Sequence, residues 1–138
     1  MKLTFTIPGN HKDLFGNAVP KLKMTGKQSW TPKAQEYKAW KTYVRASMLG
    51  QIGGQGLLTR NEITKALYTD AKLLDTTKES MTMHLRIFWK NKAHGDPENI
   101  FGSIADALFT NDKNLNGSFT GELCPEGNGR VEVTITTL

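Results

Sequence analysis

The sequence predicts an α/β (α+β) chain, a mixed β-sheet with helices packed on it, and three observations lead there. Met1 to Ile7, Met81 to Trp89 and Arg130 to Thr136 alternate with the period of a half-buried strand. Thr31 to about Leu49 and Asp96 to about Phe109 carry apolar residues at steps of three and four behind a capping residue and a proline. The length, 138 residues, suits one core, so residues 1–138 are read as a single domain.

The first strand sets Leu3, Phe5 and Ile7 against Lys2, Thr4 and Thr6, and Pro8-Gly9-Asn10 ends it. Residues 8–33 form a basic loop with no sustained period, broken by Gly16, Pro20 and Gly26. Lys12, Lys21, Lys23, Lys27 and Lys33 stand there beside Phe15 and Trp30, a mixture that suits phosphate contact plus base stacking. A solvated lysine-rich arm has the same composition. In the helix that follows, Tyr37, Trp40, Val44 and Met48 make a core stripe, Lys38, Lys41 and Arg45 line a neighbouring face, and Gly50 is the expected stop. Residues 50–58 read as a flexible connection, because their glycines lack the strand and the Lys-Ser/Thr pair of a phosphate loop. A weaker helical pattern runs from Asn61 to Leu74.

The second strand places Met81, Met83, Leu85, Ile87 and Trp89 on one face. His84, on the other, has no partner at metal spacing and reads as a sheet-surface residue. Asp96-Pro97 opens the next helix with Ile100, Phe101, Ile104, Ala107 and Leu108 as its stripe, and the closing strand turns Val131, Val133 and Ile135 inward.

Charge is asymmetric. Residues 1–50 carry nine Lys and Arg against two acids, whereas residues 51–138 carry nine against eleven. A basic front of this kind points to a polyanion partner, since lysines gain affinity by releasing counterions from phosphates. The single cysteine, Cys124, excludes an internal disulfide and a Cys-rich zinc site, and nothing resembles a Ser-His-Asp order. With no apolar run near membrane-spanning length and no signal-peptide core, the expectation is an intracellular, cytoplasmic protein with no membrane partner.

Asp96, Glu98 and Asp112 are acids where a polyanion-seeking chain would otherwise avoid them. Crowded carboxylates stay ionised cheaply with a cation between them, and an all-oxygen set selects a hard ion such as Mg²⁺ or Mn²⁺. Each also has a structural reason of its own: Asp96 as helix cap, Glu98 at the positive helix end, Asp112 at a turn. The opening of a calcium loop at Asp112 to Gly117 fails at its twelfth position, Leu123, and Asn116-Gly117 is read as a turn.

Gly95-Asp96-Pro97-Glu98-Asn99-Ile100, then Ile104-Ala105-Asp106-Ala107-Leu108-Phe109, then Asn111-Asp112, resembles the signature of the RusA family of Holliday-junction resolvases. Ile7-Pro8-Gly9-Asn10, Val19-Pro20-Lys21, Thr31-Pro32-Lys33 and Gly129 to Ile135 are similar to that family in the same order, with the weak part from about Gly50 to Lys78. The resemblance implies a RusA-like fold and a bacterial or phage-encoded, homodimeric, Mg²⁺-dependent endonuclease that binds four-way DNA junctions and nicks opposing strands. Asp96, Glu98 and Asp112 would be its metal-binding catalytic carboxylates, Asn99 a neighbouring site residue, and the basic loop with Asn10 a DNA contact. Two positions depart from the family: Glu98 stands where Asp is usual, and Gly102 where a Lys usually lies one turn after the second acid. The departures leave a second expectation, a catalytically weakened junction-binding protein of the same fold.

Overall fold

The alternating and capped segments become the elements of the computed structural model, which describes residues 2–22, 30–52, 73–77, 79–110 and 115–137. In chain order these are β1 (Lys2–Pro8), α1 (Pro32–Ile52), β2 (Met81–Trp89), α2 (Pro97–Leu108), β3 (Leu115–Leu123) and β4 (Arg130–Thr137). The strands make one mixed sheet in the order β1-β4-β2-β3. β4 is antiparallel to β1 and β2, whereas β2 and β3 are parallel, with Met81 opposite Leu115 and Trp89 opposite Leu123. A parallel pair requires a crossover, and α2 is that crossover. Together they form a small α+β domain.

One sheet face carries Leu3, Phe5, Ile7, Met83, Leu85, Ile87, Val131, Val133 and Ile135 beneath α1 and α2, and all are buried. The other face is polar; His84 is exposed there and pairs with Ser118 Oγ at 2.6 Å. Phe88 is buried on that side because the Arg130 guanidinium lies 4.0 Å above its ring.

Three expectations change. Gly50 does not stop α1, which runs to Ile52. Ile52 extends the buried stripe beyond Met48, and Gln51 bonds both ways with the Thr6 backbone, accepting at 2.8 Å and donating at 2.6 Å. Burial and the tie to β1 therefore outweigh the weak helix propensity of glycine. Asn116-Gly117 is not a turn but part of β3, where a Cβ on Gly117 would drive into the Met83 carbonyl and the Phe101 ring. Close approach of backbone and aromatic ring accounts for that glycine. On the face beside the stripe, Lys41 and Arg45 are buried, 5% and 1% exposed. Lys41 Nζ sits 3.7 Å from Asp106, and Arg45 Nη1 donates to the Ala107 carbonyl at 3.2 Å, so both stitch α1 to the end of α2. Leu74 is not helical; its amide bonds to the Leu108 carbonyl and it bridges to Phe109. The remainder of the expected helix, residues 61–72, and residues 53–58 of the expected connection lie outside the described residues.

Trp40 is the hub of the helix layer. Its indole N–H donates to Ser103 Oγ at 3.0 Å, and that hydroxyl lies 2.6 Å from the Val19 carbonyl. One fully buried side chain thus ties α1, α2 and the strap at residues 17–22 together.

Candidate metal and nucleic-acid site at the start of α2

The α2 N-terminus lies where the parallel strands β2 and β3 end, the usual position of ligand crevices in sheets with parallel strands. Asp96 caps the helix in extended conformation, its Oδ1 accepting from the Glu98 amide at 3.0 Å, and Pro97 follows at the first helical position. Pro97 packs beside Trp89 and Gly121, which seats the helix on the ends of both strands. His94 stacks on the Trp89 indole at 3.9 Å with ring planes 5° apart, holding the approach to Asp96. Asp96, Glu98 and Asn99 are all exposed. Asp96 uses one oxygen for the cap; its other oxygen and both oxygens of Glu98 have no hydrogen bond or ion pair among the described residues. Three hard oxygens beside a positive helix end are a donor set for a hard divalent cation or for polarised water.

Asp112 lies outside the described residues. The residues that bracket it, Thr110 and Leu115, stand at the far end of α2, which at 12 residues is about 18 Å long. Asp96 and Glu98 both stand at the head of α2, and among the described residues no group of three His, Cys, Asp or Glu side chains could hold a metal.

The basic loop divides into several fates. Residues 17–22 lie along the first half of α2, with the Lys21 amide donating to the Asn99 carbonyl at 2.9 Å and Pro20 against Gly95. The Lys21 stem covers Gly102: a Cβ on that glycine would lie 3.2 Å from Lys21 Cδ. The glycine one turn after Glu98 is thus a seat for a lysine from another part of the chain. Lys12 is exposed and pairs with Glu36 at 3.0 Å, while Lys33 lines a hollow with Leu22, Thr31 and Pro32. Trp30 is 76% exposed. Asn10 turns inward instead: its Oδ1 accepts from the amides of Lys12 and Asp13 and its Nδ2 donates to the Asn17 carbonyl, so its amide is spent on loop structure. Lys23 and Lys27 lie outside the described residues.

Among the described residues three carboxylates are held below their usual range, Glu126 by the Cys124 thiol first. The Phe15 amide, then Lys90, lowers Asp13; His11, then Lys12, lowers Glu36. Sequence reasoning missed Lys21 over Gly102, the His94 stack and the exposed Leu14. An unexplained mid-helix glycine was the available signal for the first; no periodic pattern marks the others.

Neither the family models nor the curated proteins compared with this sequence give a match. Among the described residues no helix is long and apolar enough to cross a membrane.

Proposed function

We propose that this protein is a metal-dependent, structure-selective endonuclease of the RusA type, acting as a homodimer on four-way DNA junctions in recombination and repair. The observation that carries the reading is the unpaired carboxylate oxygens of Asp96 and Glu98 at the start of α2, beside lysine-bearing loops. Asp96 and Glu98 would hold Mg²⁺ or Mn²⁺, and Asp112 joins them through the resemblance alone. A divalent ion in such a site supplies polarisation of the phosphodiester and activation of water. The chain's own part is attraction and positioning: Lys21, Lys90 and Lys92 draw the phosphates in, and the first-turn amides of α2 favour negative charge there. The carbonyl of Asn99 fixes the strap that brings Lys21 to this face.

A second reading, a junction binder that does not cut, is favoured by one observation: among the described residues no three acidic or histidine side chains gather into a group that could hold a metal. Incubating a synthetic four-way junction and a linear duplex with the protein, in Mg²⁺ and in chelator, separates them. Paired nicks in the junction that vanish with chelator are the expected result. Salt-sensitive binding with no nick under any metal would establish the binder, and indifference to the junction would overturn both readings.

Gly102→Ala bears on the lysine seat. Alanine in mid-helix is worth roughly 1 kcal/mol over glycine, and the exposed Lys21 stem can move by the few tenths of an ångström required. The unfolding midpoint should therefore rise while junction affinity falls, because Lys21 leaves its position. Thermal melts and a binding isotherm check both signs; a lower midpoint would show that Lys21 cannot give way.

A further inference from the structure

Leu14 and Phe15 stand side by side in water, 63% and 57% exposed, although the backbone that carries them is held on every side. Asn10 and Asp13 exchange backbone bonds at 2.8 and 3.2 Å, the Gly16 amide returns to the Asp13 carbonyl at 3.0 Å, and Gly129 donates to the Phe15 carbonyl at 2.9 Å. Asp13 Oδ1 accepts from the Phe15 amide at 2.9 Å. Gly9, at φ 54°, permits the turn, and a Cβ there would run into the Asp13 carbonyl. The loop is also tied to the β2–α2 connection. Asn17 donates to Asn91 Oδ1 and the Ala93 carbonyl and accepts from the Lys90 amide, and Lys90 Nζ meets Asp13 at 3.1 Å. These bonds order the tip without burying its apolar side chains, so the exposure is a built feature awaiting a partner.

The surroundings indicate which partner. The tip abuts the same connection that leads through His94 to Asp96, and the charged side chains tied to it are Lys12, paired with Glu36, Lys90, paired with Asp13, and the exposed Lys92 between the Asn17 partners Asn91 and Ala93. An apolar point beside lysines is complementary to nucleic acid, where the ammonium groups exchange their carboxylate partners for phosphates and an aromatic ring takes a base face. A branch point offers such faces at least cost, because its bases are already less well stacked.

We propose that Leu14 and Phe15 form a rigid wedge that enters the branch point of the DNA and unstacks the base pair beside the carboxylate site, an inference that rests on the DNA-junction reading above. The wedge sets where along an arm the phosphate meets Asp96 and Glu98.

The test uses a four-way junction with 2-aminopurine next to the branch, in chelator so that no strand is cut, and compares the full chain with a Leu14→Ser/Phe15→Ser variant. Expected is a several-fold rise in 2-aminopurine fluorescence when the parent saturates the junction. The variant, melting at the same temperature, should still bind within about tenfold of the parent, as phosphate contacts carry much of the affinity, yet give no rise. An equal rise from the variant overturns the wedge. So does a parent that binds without any rise, and that outcome leaves the DNA reading standing. A parent that binds no junction sinks the DNA reading itself. If instead the variant sediments as a monomer where the parent is a dimer, the tip is a self-association surface and the wedge is overturned.

Discussion

Asp96→Asn is expected to leave the fold and junction binding intact and to lower Mg²⁺-dependent nicking by roughly a hundredfold or more, the scale seen when one preorganised electrostatic group is removed from an active site. The substitution isolates chemistry from structure. Asn caps helices as well as Asp, and its side-chain oxygen can still accept from the Glu98 amide at the 3.0 Å seen here. What it removes is the negative charge on the oxygen that the cap does not use. Asp96→Ala would lose the cap as well, about 1 kcal/mol, so a comparison of the two variants divides folding from function. Nicking rates under single-turnover conditions, with binding measured alongside, are the readout. An Asn variant that cuts as fast as the parent would remove Asp96 from the metal site.

Trp40→Ala should be the most damaging change away from the site, lowering stability by about 3–5 kcal/mol in a denaturant titration, as large-to-small substitutions of fully buried aromatics do. The cause is more than lost volume. Trp40 is fully buried, and its N–H satisfies Ser103 Oγ, which in turn contacts the Val19 carbonyl. Removal opens a cavity between α1 and α2 and loosens the strap that carries Lys21. Trp40→Phe retains a six-membered ring, removes the hydrogen bond, worth about 1 kcal/mol, and opens a smaller cavity than Ala. The difference between the two variants therefore measures packing. An Ala variant within about 1 kcal/mol of the parent would show that the helix layer repacks freely around the hole.

Much of the fold was legible because its signals are local. β2 spans Met81–Trp89, as its alternation predicts, and α2 begins at Pro97 behind an Asp96 cap. Thr31 caps α1 as expected, with Oγ1 accepting from the Ala34 amide at 3.2 Å. β3 was not legible: Leu115–Leu123 is mostly exposed, has glycines at two of its alternating positions and Thr120 as its one β-branched residue, so its apolar signal is weak and its strand state comes from pairing with β2. The burial of Lys41 and Arg45 was not legible for a related reason. Their stems and charges find partners only across the α1–α2 seam, which no spacing within α1 reveals. At the candidate site, the Asp96 and Glu98 pairing was readable from the cap motif. The Lys21 stem over Gly102 was not, because 81 positions separate the two residues.

By itself the sequence determined the class, the burial faces of β1, β2, β4 and α2, the apolar stripe of α1, and the pair of acids at the head of α2, all of which follow from periodicity and capping over a few residues. Tertiary structure alone decided which lysines remain outside, which strand lies against α2, and that Leu14 and Phe15 stay in water on a hydrogen-bonded tip. The physical reason is range: backbone periods act between neighbours in the chain, whereas ion pairing, glycine seats and exposure depend on segments that meet only after the sheet has closed around its core.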